Sequence, residues 1–292
     1  MTTIKEDQVY TKLNQEFYEK EILGIDRSMN KWFARFVYAK VIGNWIEKNI
    51  KNKHTLYDAG GGIGNWAWYF GNKYKFKRII VSDISKLPLS KIPEDYIEKI
   101  NCSVMENKLP DSSVDCILLI DVFEHIFIKD LEKMMKDLRR ILKPDGKILI
   151  LTSLYGWGQG LVLQRLFTNR RLMKGEFKAL SHVNRLSLKE FNLLFKRTGL
   201  EIEDYYYYCI IFQQITDDLK ERFAKIVSKL RKSKERKEGQ ETKKSIRKIE
   251  EKPLIKTLLY LSSLISYLDI LIFGKFFPGR GIFFCLKKSE LH

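Results

Sequence analysis

Cysteine is scarce and scattered in this chain. The four thiols are Cys102, Cys116, Cys209 and Cys285; none forms a CxxC pair, and each lies in or beside an apolar run. That distribution gives no disulfide framework and predicts buried free thiols in a reducing, cytoplasmic compartment. The opening MTTIKEDQVY has no apolar stretch, so a secretory leader is not expected. Histidine is also rare. Of the four, His54 begins a predicted strand and His292 is terminal, which leaves His125 and His182 for chemistry. Acidic residues are in deficit, 36 against 53 Lys and Arg, for a net charge of +17. A surplus of that size suits a phosphate-bearing partner or an anionic membrane surface, and a solvated lysine surface equally. There is no internal repeat, no recognisable RNA-binding module and no Asn-Pro-Pro-Tyr-type base-clamping motif, so nucleic acid is the less expected partner.

What is present is an ordinary globular composition. Hydrophobic residues make up 45% of 292, too many for a disordered chain and enough for a core without a disulfide or metal staple. Residues 15–50 carry apolar positions at helical spacing, including Phe17, Trp32, Phe36 and Trp45, and predict two helices broken near Gly24-Ile25-Asp26. Short apolar runs then alternate with helical stretches, as repeating strand–helix units around a parallel sheet do. Strands are expected at His54–Ala59, Arg78–Asp83, Asn101–Met105, Val114–Asp121, Gly146–Thr152, Glu201–Phe212 and Gly281–Lys287. Helices are expected near 64–73, 90–100, 129–142 and 187–198. The domain plan is a helical cap over 1–50, a main domain over 51–212 plus 280–288, a substrate-side segment over 153–186, and an insertion over 213–279.

The sharpest motif is Asp58-Ala59-Gly60-Gly61-Gly62-Ile63-Gly64, placed after a predicted strand and opening a predicted helix. Glycines there let the backbone turn tightly and approach a ligand. Asp83 ends the next strand, 25 residues past Asp58, where an acid can accept both hydroxyls of a ribose. Nicotinamide and S-adenosylmethionine sites share this layout. Read from Gly62, the glycine spacing satisfies the looser dinucleotide pattern, so spacing alone leaves both open. Asp58 argues against a pyrophosphate, which a carboxylate would repel, and for a ligand ammonium.

Here the sequence resembles the class I S-adenosylmethionine-dependent methyltransferases. After the glycine motif, the resemblance continues through Asp83-Ile84-Ser85 and Leu109-Pro110-Asp111-Ser112-Ser113-Val114-Asp115. It then runs through Asp121-Val122-Phe123-Glu124-His125-Ile126 and Leu138-Arg139-Arg140-Ile141-Leu142-Lys143-Pro144-Asp145-Gly146 to Ser187-Leu188-Lys189-Glu190-Phe191. It covers roughly residues 54–212 and looks most like the branch that includes quinone-pathway enzymes. The resemblance implies a three-layer Rossmann-like α/β fold with a seven-stranded mixed sheet whose last strand is antiparallel. It implies that S-adenosylmethionine is held by Asp58, Gly60, Gly62, Gly64 and Asp83, with Met105 and Glu106 flanking the adenine. Many relatives have Asp where this chain has Met105. Asp121 would lie where the transferred methyl group faces the acceptor.

Methyl transfer is an in-line displacement from a sulfonium that is already a strong electrophile, so positioning does most of the work. A base is needed only if the acceptor must lose a proton. Asp121, His125 and His182 are the candidates. Their structural alternatives are a helix-start or core hydrogen bond for His125 and a loop anchor for His182. Some relatives hold a divalent ion through an acid followed by a Glu-His pair, as in Asp121-x-x-Glu124-His125. The pair also occurs in relatives without metal, and no metal is expected here.

The insertion begins basic and ends apolar. From Leu219 to Lys237 there are nine Lys/Arg and two Glu, a net of +7. Lys256 and Lys275 then enclose 18 mostly apolar residues. As a helix they would span ~27 Å, just short of a bilayer core of roughly 30 Å. Ser262, Ser263, Ser266 and Asp269 share one face, and Leu261, Leu264, Leu268 and Leu271 the opposite one. A polar stripe favours lying in an interface or packing on protein over spanning. The expectation is a methyltransferase acting on a small-molecule or lipid-like acceptor, peripheral on an anionic membrane through 217–277. The rivals are a helix that merely covers the substrate pocket, an RNA methyltransferase, and a binding protein that keeps the fold without turnover.

Overall fold

The computed structural model describes residues 36–154, 183–184, 186–208, 210, 253–277, 279 and 281–290. Helix α1 (Phe36–Asn49) precedes a run of alternating elements: β1 (Thr55–Ala59), α2 (Asn65–Lys73), β2 (Arg78–Asp83), a one-turn α3 (Lys86–Leu89) and β3 (Ile97–Asn101). There follow β4 (Val114–Ile120), α4 (Ile128–Ile141), β5 (Leu142–Ser153), α5 (Leu188–Arg197), β6 (Leu200–Tyr208), α6 (Pro253–Phe273) and β7 (Gly281–Lys288). The seven strands form one sheet in the order β3-β2-β1-β4-β5-β7-β6. β7 runs antiparallel to both β5 and β6, and the pairs from β3 to β5 are parallel. The mixed sheet with an antiparallel last strand is as expected.

The central strands form where the chain can be buried on both faces. β1 (TLYDA) and β4 (VDCILLI) are buried at every position, as parallel strands covered by helices are. Alternation along them feeds two apolar layers. Tyr57, Ile117 and Leu119 meet Met134 and Leu138 of α4 and Phe191 and Phe195 of α5. Leu56, Cys116 and Leu118 face the other way, with Ile42 and Trp45 of α1 and Ala67 and Phe70 of α2. The result is three layers. Cys116 and Cys285 are buried free thiols and Cys102 is half-buried; Cys209 lies outside the described residues.

Two expectations fail at the third strand. It occupies Ile97–Asn101, not Asn101–Met105, and no helix runs over 90–100. Pro93 removes a backbone donor and ends α-helical structure, so only the single turn α3 forms before it. Ile97–Asn101 is the sheet's edge, and most of it is exposed. Its charged Glu98, paired with Arg78 at 2.7 Å, and Lys99 hide the strand pattern and suit an edge. β5 also begins earlier than expected. Pro144 and Gly146 fall inside it, opposite an irregularity between Val114 and Cys116 that tolerates proline. β6 is described over Leu200–Tyr208, and Cys209, Ile211 and Phe212 of the expected strand lie outside the described residues.

α5 starts with a capping box: Ser187 N–H donates to the Glu190 carboxylate at 2.7 Å, and Glu190 N–H donates to Ser187 Oγ. It ends at Gly199, whose φ of +70° suits a residue without Cβ. Of the expected N-terminal helices, α1 is described and residues 15–35 are not. The segment 155–182, with His182, and the basic half of the insertion also lie outside the described residues.

Candidate active site

Parallel pairing brings the ends of β1, β2, β4 and β5 to one edge of the sheet. β1 sits between β2 and β4, where the strand order reverses, the place at which open α/β sheets form a ligand crevice. The glycine loop fills the exit from β1. Gly60, Gly62 and Gly64 have φ of +71°, +55° and +67°, so every second residue is in the left-handed region. Gly61 N–H donates to Ser82 O and Gly64 N–H to Gly61 O, both at 2.9 Å. A Cβ on Gly60 would come within 2.8 Å of Val122 Cγ2, and Val104 stands on the same side. A Cβ on Gly61 would meet the Asp58 carboxyl carbon at 2.5 Å.

Asp58 therefore lies directly beneath the loop. It is 1% exposed, and Oδ2 accepts the Ala67 N–H of α2 at 3.1 Å. Burial pushes its pKa up to about 7, with the negative charge of Asp83 adding to the shift and the Ala67 hydrogen bond opposing it. Asp83 ends β2 beside the loop. Its Oδ2 accepts the Gly62 N–H at 3.1 Å and its Oδ1 the Ser85 N–H at 2.8 Å. Asn101 Nδ2 donates to the carbonyls of Asp83 and Ile84, both at 2.9 Å, and pins the strand tip.

Ser85, two residues on, was not singled out for a role by the sequence. Its Oγ is buried and, among the described residues, is the side-chain polar atom left without a hydrogen-bond partner. Its only sequence signal is its place after the acid in Asp83-Ile84-Ser85. These features fit S-adenosylmethionine. Left-handed glycines open the backbone to the amino-acid end, a buried acid stands at the strand end beside them, and an orphaned hydroxyl lies close by.

Met105 is half-buried beside Val104, with its N–H on Ser103 Oγ at 3.2 Å. Glu106 turns outward, and its carboxylate accepts from Lys133 of α4 at 2.6 Å. The structure thus brings Asp58, Asp83 and the glycines together, keeps Met105 next to the loop's wall, and sets the Glu106 carboxylate on the surface.

Across the crevice, the chain leaves β4 through Asp121, an exposed residue with φ of +55° whose N–H donates to Leu151 O at 3.0 Å. A non-glycine residue held there is uncommon, and such positions cluster at functional sites. A tight helical turn, Phe123–His125, follows. Glu124 is 4% exposed and accepts Thr152 Oγ1 at 2.9 Å and Ser153 Oγ at 3.4 Å. Burial raises its pKa. The Glu124 carbonyl accepts Val183 N–H at 3.0 Å, and Asn184 Nδ2 donates to Phe123 O and Ile126 O, both at 2.6 Å. The chain just after His182 is thereby fastened to the turn that holds half-buried His125. Among the described residues, no group of three or more His, Cys, Asp or Glu could hold a metal ion.

Two motifs of the resemblance do scaffold work. Arg140 donates to Asp137 at 2.8 Å and to the carbonyls of Leu109 and Asn107 at 3.0 Å. Asn107 donates to Asp137 and accepts from the Tyr57 hydroxyl, which also meets Ser82 Oγ at 2.6 Å. This buried network locks the Leu109-Pro110-Asp111 loop and β1 to α4.

A family model described as a methyltransferase domain matches residues 27–205. Among characterised proteins, (S)-coclaurine N-methyltransferase of Thalictrum flavum subsp. glaucum is 27% identical over 108 residues. That match takes in 35% of this chain and 29% of the plant enzyme, so the chain spans under a third of that relative. Geranyl diphosphate C-methyltransferase from Streptomyces coelicolor A3(2) superposes with a TM-score of 0.52 at 11% identity, over 88% of this chain and 82% of that one. Phosphoethanolamine N-methyltransferase 2 of Haemonchus contortus gives 0.52 at 17% identity, over 90% and 58%. Both were crystallised with S-adenosylhomocysteine. With the model match running through the glycine loop, the strand-end acid and the turn after β4, the chain belongs to this methyltransferase-domain family.

Proposed function

We propose that the chain methylates a small-molecule or lipid-like acceptor that it meets at an anionic membrane surface. The observation that carries the acceptor side is the crevice at one sheet edge. The glycine loop, Asp83 and Ser85 stand on its cofactor side, and the turn Asp121–His125, with residues 183–184 fastened to it, on the other. The relatives named above act on small molecules by their names, which supports the class.

Bound there, S-adenosylmethionine supplies a sulfonium methyl group; the acceptor's lone pair forms the new bond as the S–CH3 bond breaks and sulfur keeps the electron pair. The chain's own residues position the partners. Asp58 sets the loop from below and offers a carboxylate to a ligand ammonium. Asp83 and Ser85 take hydroxyls. Where the acceptor carries a proton to lose, Asp121, His125 and His182 are the groups proposed to take it. The membrane reading draws support from the insertion, basic over Leu219–Lys237 and apolar in α6. The test is calorimetric titration with S-adenosylmethionine, followed by methyl transfer from labelled cofactor into a lipid extract and a panel of small amines and phenols. Label in the lipid or small-molecule fraction is expected. Cofactor binding with no transfer to any of them would remove the acceptor assignment.

A further inference from the structure

Helix α6 turns its polar residues Ser266 and Asp269 toward its own protein, with Ile270 buried beside them. A surface helix ordinarily buries its apolar stripe. In α6, Asp269 is fully buried and Ser266 nearly so, and the Asp269 carboxylate accepts the Ile210 N–H at 3.2 Å. Asn44 Nδ2 of α1 reaches the Tyr267 hydroxyl at 3.3 Å. Past the helix end, Gly274 O accepts the Tyr207 N–H of β6 at 2.8 Å. Lys275 pairs with Asp204, donates to Tyr205 O at 2.6 Å and lies 4.0 Å from the Tyr206 ring centroid. These contacts fix the rotation of the helix through its C-terminal half.

With Ser266 and Asp269 inward, an apolar ridge faces out. Leu261, Ile265, Leu268 and Ile272 follow one another at three- and four-residue steps, and Phe276 and Phe277 continue the line; exposure runs from 40% at Ile265 to 79% at Phe276. Leu271, also exposed, flanks the ridge, and the other exposed large apolar residues among those described, Tyr96, Ile128, Val183 and Leu193, lie on separate parts of the chain. A contiguous apolar ridge on a soluble domain marks an interaction surface.

Charge selects the occupant. Asp269 is the one acid in Pro253–Phe273, and it is buried, so no carboxylate of α6 faces outward. The same insertion contributes a net +7 over Leu219–Lys237, within a chain of +17. A lysine-rich sequence in the same chain as an outward apolar helix face suits an anionic bilayer. Among the described residues, no helix is long and apolar enough to cross a membrane, and β7 returns to the sheet eight residues after α6 ends.

We infer that the outward ridge of α6, with Phe276 and Phe277, docks in the interface of an anionic membrane. This deepens the proposed reading and rests on it only for what then enters the crevice; docking itself needs no cofactor. The test is co-sedimentation of the full chain with phosphatidylcholine vesicles, with and without phosphatidylglycerol. Pelleting with the anionic vesicles alone, weakening with salt, is expected. Replacing both Leu268→Gln and Phe276→Ser should lower the vesicle partition about tenfold or more while calorimetry shows unchanged cofactor affinity. Leu261→Gln with Ile272→Gln gives the second, independent variant. Equal pelleting on neutral and anionic vesicles, no pelleting, or variants that pellet like the wild type would overturn the inference. So would a wild type that ignores vesicles but is an oligomer that the variants split in size exclusion, which would make the ridge a contact between copies. Docking without methyl transfer would fail the proposed function alone, and transfer to a soluble acceptor without docking would fail the membrane surface alone.

Discussion

The Asp83 carboxylate accepts the Gly62 N–H at 3.1 Å, so the acid assigned to the ribose also holds the glycine loop. One oxygen serves the loop, the other the Ser85 N–H. The loop's shape and its ligand contacts thus depend on the same side chain. Asp83→Ala removes both, and each lost charge-assisted hydrogen bond is worth about 1.5–3 kcal/mol. Affinity for S-adenosylmethionine should fall at least about tenfold. Isothermal titration measures it, and wild-type affinity in the variant would separate Asp83 from the cofactor.

Asp58 makes folding stability depend on pH. Burial raises its pKa from 3.8 to about 7. A carboxyl whose folded pKa lies above its unfolded value favours the protonated folded form. Its contribution is fully present below about pH 4 and is lost as pH rises toward 7. Asp58→Asn stays neutral and can still accept from Ala67. Urea midpoints measured from pH 4.5 to 8 should show a smaller decline with rising pH in the variant than in the wild type, by a few kcal/mol at most. Parallel curves would place the titration elsewhere.

The legible parts of the molecule are those fixed by local pattern. β2 begins and ends as the apolar run does, and the glycine loop falls where its spacing puts it, because both-face burial and left-handed backbone leave direct marks in sequence. β3 was missed because an edge strand bears charges where a central one bears valine and isoleucine. In α6 the division of Ser266 and Asp269 from Leu261, Leu268 and Leu271 was visible. The side that faces the protein was not, since it depends on Asn44, Asp204 and Ile210, 59 or more residues away. Nor does any pattern announce that the Ser85 hydroxyl is buried without a partner.

That hydroxyl separates a binding role from a structural one. An unpartnered buried polar group contributes nothing to the fold, so Ser85→Ala should leave the melting temperature of the cofactor-free protein unchanged or slightly raised. With cofactor, the variant loses one neutral hydrogen bond of about 1 kcal/mol, or roughly fivefold in affinity. Thermal melts with and without S-adenosylmethionine check both halves. A destabilised apo variant with intact affinity would make Ser85 part of the scaffold.

Asp269 offers the corresponding test of how α6 is seated. Its buried carboxylate answers the Ile210 N–H just past β6, and an aliphatic residue there would leave that donor buried and unpaired. Asp269→Leu should therefore destabilise the protein by about 1–3 kcal/mol, despite making the helix more apolar. Asp269→Asn keeps an oxygen acceptor in place and should recover most of the loss. Removing the polar anchor also removes a contact that turns the apolar ridge outward, so Asp269→Leu should bind anionic vesicles more weakly than Asp269→Asn. Chemical denaturation and vesicle sedimentation on the two variants read these effects separately. A leucine variant as stable as wild type, with its vesicle binding intact, would mean that helix rotation is set by Lys275 and Tyr267 and not by the buried acid.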